Sequence, residues 1–196
     1  VATNADIDGT KRTCCVGINN RKAARIAGRL MGQFLGGTGK IAVVSSAIAS
    51  ENNNYYVQVR ETEFADFIHK EYPDIEIITT LDSFEDPQIT YEKTVKLLRD
   101  YQDLQGIYIT CGGVSQVGRA LEESGRAKDI RVISFEDYPE VVDLIRKDVI
   151  DCTLAGELQQ QGEIPVQIIM DYLVFGKEPE QQQIFTDIRV LVKESL

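Results

Sequence analysis

The regular alternation of short β-branched runs with amphipathic helical stretches constrains this chain more than any other feature. Thr13–Ile18 reads as a strand, and Arg21–Leu35 follows as a helix with Ile26, Leu30, Met31 and Phe34 on one side. Further strands are expected at Ile41–Ser46, Ile75–Thr80, Gly106–Thr110, Ile130–Phe135 and Asp151–Ala155. Helices are expected over Tyr55–Glu71, from Pro87 (capped by Asp86) to about Arg99, over Val114–Glu123 and over Pro139–Lys147. Gly162–Phe175 reads as a long apolar helix, and strand-like runs around Ile184–Phe185 and Arg189–Val192 follow it. Strands that alternate with helices build a parallel, doubly wound α/β sheet. Ligands of such sheets gather beyond the carboxyl ends of the strands. That rule nominates the loops Asn19–Asn20, Ser45–Asn54, Asp82–Asp86, Cys111–Gly113, Phe135–Tyr138 and Gly156. The 162–175 helix is apolar on most sides, so it is expected to be covered around most of its circumference.

Composition and motifs remove several function classes. The net charge of −10, with Lys and Arg scattered, argues against nucleic-acid contact by this segment itself. No apolar run approaches the ~20 residues of a membrane span, and Val1–Asp8 has neither the basic head nor the apolar core of a signal peptide. Cys14, Cys15, Cys111 and Cys152 fit no zinc spacing; they read as small buried residues of a reducing compartment, which points to the cytoplasm. Gly36–Lys40 (GGTGK) fails the phosphate-loop spacing and precedes a strand, so it reads as a helix stop. His69, the one histidine, lies beside Lys70 on an amphipathic helix and reads as a solvated surface residue rather than a base. No acidic pair, metal set or cofactor loop emerges. The expectation is a binding protein with no cofactor and no metal, not an enzyme.

The stretch Cys15–Gly28 (CVGINNRKAARIAG) resembles the "VG-x-DN-x-x-AGR-x-A" signature of LacI/GalR effector domains and of sugar-binding proteins. The resemblance continues in order through Gly39–Ala42, Arg60-x-x-x-Phe64, Asp86-Pro87-Gln88, Leu104–Tyr108, Phe135-Glu136-Asp137, Ile150–Thr153 and Gly176-Lys177. It implies a type I periplasmic-binding-protein fold with two lobes, three crossovers and a ligand between the lobes. On that reading residues 1–12 hold the end of the N-terminal lobe and the first crossover, and 13–154 form the C-terminal lobe. Residues 155–196 carry crossovers and a tail that packs on an incomplete N-terminal lobe. The implied function is ligand sensing by a LacI-type transcription regulator, cytoplasmic and homodimeric. A small effector, most simply a carbohydrate, would control DNA operator binding by a helix-turn-helix outside this chain. The alternative is an extracytoplasmic solute-binding protein of a sugar ABC transporter.

Carried over residue by residue, the resemblance implies a ligand-binding set. Arg60 takes the place of the family's ligand arginine, whose planar fork donates paired hydrogen bonds. Phe135 and Glu136 take the place of its strand-end aromatic–acid pair, with Asp137 as a second carboxylate and Glu136 standing where most relatives have Asp. Asn19 belongs to the "DN" pair, Phe84 and Glu85 fall near a stacking position, and Asn4 near a polar contact from the first lobe. Gly112 replaces an asparagine, and Gly156 replaces the glutamine of the second crossover. Those two losses imply a roomier, less polar pocket than a pentose site.

Overall fold

A computed structural model describes residues 1–4, 6, 10–46 and 55–196. The expected loop over Ser45–Asn54 lies largely outside the described residues. The chain divides into two compact units, Val1–Asn19 with Ala155–Arg189, and Asn20–Leu154 with Val190–Leu196.

The first unit holds β1 (Ala2–Thr3), β2 (Cys15–Ile18), α6 (Leu158–Phe175) and β8 (Gln183–Thr186). β2 lies centrally in a three-stranded parallel sheet, flanked by β1 and β8. This differs from the expectation that a strand from Thr13 opens the C-terminal lobe. Cys15–Ile18 is buried at every position, as a strand needs to be when it is paired on both edges and covered. Alternation alone reports that a strand is buried, not which sheet buries it. The tail also differs, because Val190–Leu196 belongs to the second unit.

α6 departs from its expected burial. Its Gln161 and Pro165 are buried, whereas Leu173 and Phe175 are 72% and 76% exposed. The helix contacts β1 and β2, while Val166, Ile169, Met170 and Val174 are exposed as well. Gly176 ends the helix in the left-handed conformation and donates to the Tyr172 carbonyl.

The second unit is built on a six-stranded sheet. Its strands are β3 (Thr38–Ser45), β4 (Asp74–Asp82), β5 (Leu104–Ile109), β6 (Arg131–Phe135), β7 (Cys152–Gly156) and β9 (Ile188–Leu191). They run in the order β4-β3-β5-β6-β7-β9, and the pairs from β4 through β7 are parallel. The helices are α1 (Asn20–Phe34), α2 (Tyr55–Glu71), α3 (Pro87–Asp100), α4 (Val114–Ser124) and α5 (Pro139–Arg146).

Strand alternation divides the core between the two faces. Ala42, Val44, Ile107, Ile109 and Val132 pack with Leu97, Val117, Leu121 and Leu144 of α3, α4 and α5. Ile41, Tyr108, Ile133 and Phe135 point the other way, towards Met31 of α1 and Phe64 of α2, all of them buried. Gly106 is required there, because a Cβ would lie 2.7 Å from Met31 Sδ and 2.8 Å from Ile41 Cγ2. Asp86 caps α3 by accepting from the Ile89 amide at 2.8 Å, with Pro87 in the first turn. Such a cap contributes about 1 kcal/mol. The GGTGK run ends α1 as expected: Gly36, Gly37 and Gly39 all have positive φ, at 64°, 88° and 137°.

Candidate functional site

The groups at the carboxyl ends of the sheet strands converge on Arg60. Arg60 stands in α2 four residues before Phe64, so both side chains leave the same helical face. Phe64 is fully buried and stacks on Tyr108 of β5, with ring centroids 4.1 Å apart. That stack fixes the face of α2 against the sheet and sets where Arg60 reaches.

Arg60 Nε donates to Asn20 Oδ1 at 2.7 Å, and Nη1 donates to the Thr110 carbonyl at 3.1 Å. The guanidinium carbon lies 4.0 Å from the centroid of the Phe135 ring, within the range of a cation–π contact. Only 12% of the side chain is exposed. Burial lowers the arginine's pKa, opposed by Tyr108, Glu136 and Cys111, yet a guanidinium so far above neutrality stays charged.

Glu136 faces this fork without closing on it. Its Oε1 is 3.9 Å from Arg60 Nη2, too long for a hydrogen bond, and its side chain is 34% exposed. Burial pushes the carboxyl above the usual glutamate range; Arg60 opposes that shift and Asp137 adds to it. The backbone of Glu136 is clamped by β7. Its amide donates to the Leu154 carbonyl at 2.8 Å, and its carbonyl accepts from Thr153 Oγ1 at 2.7 Å. The clamp holds Glu136 at φ 69°, in the left-handed region. For a side chain with a Cβ this costs on the order of 1 kcal/mol, and such strain concentrates at functional sites.

The turn after β4 forms a neighbouring element. Phe84 and Glu85 have φ 53° and 54°. Their amides donate to Asp82 Oδ1 and Ser83 Oγ, both at 3.1 Å. Ser46 Oγ donates to Glu85 Oε1 at 3.2 Å, and Ser83 Oγ lies 3.4 Å from Cys111 Sγ. Phe84 is 52% exposed, with Lys93 Nζ 4.6 Å from its ring centroid. The turn presents an aromatic face to solvent on a rigid, self-bonded base.

The sequence-derived set is thus divided. Arg60, Phe135 and Glu136 meet directly, and half-buried Asp137 stands next to them. Phe84 and Glu85 share the turn just described. Asn4, at φ 64°, and Asn19 belong to the first unit. It is Asn20, the second of the asparagine pair, that meets Arg60; the start of α1 at that residue was the available signal. The carbonyl of Thr110 carries no side-chain signature at all.

The two glycines behave differently. Gly112 has nothing within 4 Å of where a Cβ would stand, in keeping with added room. A Cβ at Gly156 would lie 2.3 Å from Gln161 Nε2 and 2.5 Å from Ile18 Cγ2. The expectation of room at Gly156 is therefore corrected: the buried amide of Gln161, five residues on, fills that space.

Chemically, the cluster offers a cationic donor fork, a carboxylate and aromatic surface. Among the described residues no group of His, Cys, Asp and Glu could hold a metal ion, and no helix is long and apolar enough to cross a membrane.

The chain belongs to the periplasmic binding protein domain family, whose sequence model matches residues 1–178. No curated protein sequence matches it. Among solved structures it is similar to GanP, a glucose-galactose binding protein from Geobacillus stearothermophilus (TM-score 0.87, 23% identity, covering 98% of this chain and 67% of that one). It is also similar to a sugar ABC transporter sugar-binding protein from Bacillus halodurans (TM-score 0.85, 27% identity, covering 95% and 66%). A third is AraP, an arabinose binding protein from Geobacillus stearothermophilus (TM-score 0.83, 25% identity, covering 95% and 65%). The chain spans about two thirds of the length of these proteins.

Proposed function

We propose that this chain is the carbohydrate-binding domain of an extracytoplasmic solute-binding protein serving a sugar transporter. The observation that carries the reading is the 3.9 Å gap between Arg60 Nη2 and Glu136 Oε1 above the Phe135 ring. A donor fork and an acceptor, fixed but unjoined, suit the hydroxyls of a sugar, each of which both accepts and donates. The family, and the names of similar structures at 25% and 27% identity, support the same class of ligand. The role is binding, with no catalytic step. Titration with glucose, galactose and arabinose, followed by thermal shift and calorimetry, tests it. A shift that disappears in Arg60→Ala is expected, and no shift with any monosaccharide would overturn the reading.

A second reading keeps the sugar and changes the output: the effector domain of a cytoplasmic, homodimeric LacI-type regulator that binds its operator through a helix-turn-helix elsewhere. What favours it is four reduced cysteines, all buried, which suit a reducing compartment. The gene sequence upstream of Val1 separates the two: a signal peptide supports the receptor, a helix-turn-helix the regulator.

A further inference from the structure

Tyr108 carries a polar atom that the sugar site as described does not use. The residue lies one position before the end of β5 and is 0% exposed. Its ring is held between Phe64, 4.1 Å away, and Phe135, 6.1 Å away. Phe135 is the ring beneath Arg60, and Thr110, just past the end of β5, gives its carbonyl to Arg60. The hydroxyl therefore lies within the aromatic floor of the site, yet it has no hydrogen-bond partner among the described residues. Phenylalanine would supply the same stacking without a buried hydroxyl that costs about 1–3 kcal/mol when unsatisfied.

Position indicates where the hydroxyl acts: Phe64, one helical turn after Arg60, stacks on the Tyr108 ring, and Phe135, the ring beneath the guanidinium, flanks it on the other side. Arg60 has five N–H donors, of which one on Nε and one on Nη1 are directed to Asn20 and Thr110. The fork retains donors for a further partner below the ligand face.

We propose that the Tyr108 hydroxyl holds a buried water shared with the Arg60 fork, making Tyr108 a positioning residue that sets the guanidinium plane for the ligand. A buried water needs two to four polar partners, and the phenol oxygen and the spare arginine N–H groups supply them. This rests on the carbohydrate reading only for its effect on affinity; the water and the arginine geometry stand apart from it.

The test is Tyr108→Phe, which keeps both ring contacts and deletes one oxygen. High-resolution crystal structures of the ligand-free wild-type and variant proteins are compared first. Ordered solvent bonded to Tyr108 Oη and an Arg60 nitrogen, absent in the variant together with a displaced Arg60 fork, supports the proposal. A phenol oxygen bonded elsewhere, or an Arg60 unmoved by the substitution, overturns it. Calorimetric titration with arabinose and glucose follows. The variant is expected to lose little in melting temperature while its Kd rises about tenfold, a split that a purely structural role would not produce. Equal Kd values overturn the proposal. Failure of the wild type to bind any sugar would remove the carbohydrate reading and leave the crystallographic comparison to decide this one.

Discussion

Arg60 sits over the ring of Phe135 with 4.0 Å between the guanidinium carbon and the ring centroid. Its two assigned bonds draw on α1 and on the end of β5, so a single side chain registers three parts of the second unit. Charge alone is not sufficient there. Arg60→Lys keeps the cation but loses the fork and the planar contact. We expect sugar affinity to fall about tenfold or more, with about 1–3 kcal/mol of stability lost with the Arg60 bonds to Asn20 and the Thr110 carbonyl. Calorimetry and urea unfolding measure the two effects separately.

Glu136 trades stability for its position. Glu136→Gly removes the left-handed strain at φ 69° and is expected to leave stability unchanged or raise it by up to about 0.5 kcal/mol, after glycine's greater chain entropy is subtracted. The same variant should bind sugar much more weakly. A destabilised Glu136→Gly protein in denaturant melts would show that the clamp from Thr153 and Leu154 imposes no strain.

The pH response follows from burial at the same residue. Burial raises the Glu136 carboxyl above its unfolded range, so the folded protein holds that proton more tightly than the unfolded chain. The stability linked to this group is full below the unfolded value and is lost as pH rises through the raised folded one. Ligand binding runs the opposite way, because the accepting carboxylate must be ionised. Affinity should decline on acidification already above the ordinary glutamate range of about 4.3. In Glu136→Gln this component of the pH profile should vanish, as titrations across the acidic range would reveal.

The two glycines should respond differently to enlargement. Gly112→Asn adds a side chain where no atom stands within 4 Å; stability should change by less than about 1 kcal/mol, while sugar preference changes. Gly156→Gln must displace the Gln161 amide, 2.3 Å from the new Cβ, and is expected to cost about 1–3 kcal/mol. Equal melting temperatures for the two variants would contradict the packing at Gly156.

Buried thiols should be silent until unfolding. Burial pushes the Cys152 thiol up to about 12 and also raises Cys111, and thiolate is the reactive form. A thiol reagent is expected to label none of the four cysteines in the native protein and all four in denaturant. Rapid native labelling would point to local opening. Because buried thiols persist in either compartment, their presence weighs less on location than their number suggests.

Much of this organisation was legible in the sequence, and the exceptions have physical causes. Tyr55–Glu71 is helical over the expected span, because its pattern is local; Arg60, Phe135 and Glu136 meet, and those positions came from the family resemblance rather than from alternation. Sheet membership was not legible: Cys15–Ile18 looks the same to a periodicity argument in either sheet. Backbone contributions such as the Thr110 carbonyl leave no trace in residue type. Gln161 filling the space at Gly156 was hidden for a different reason, since a side chain five residues away replaced one expected in place.

The clamp on Glu136 has one more consequence. Both backbone groups that fix the residue belong to the main chain, one bonding Leu154 and the other Thr153, so the anchor is indifferent to side-chain length. The carboxylate is then a probe of adjustable reach mounted on a rigid base. Exchanging Glu136 for aspartate would retract it by one carbon–carbon bond, about 1.5 Å, without disturbing the sheet. Ligand size could in this way be recalibrated by a single methylene while the fold beneath stays unchanged.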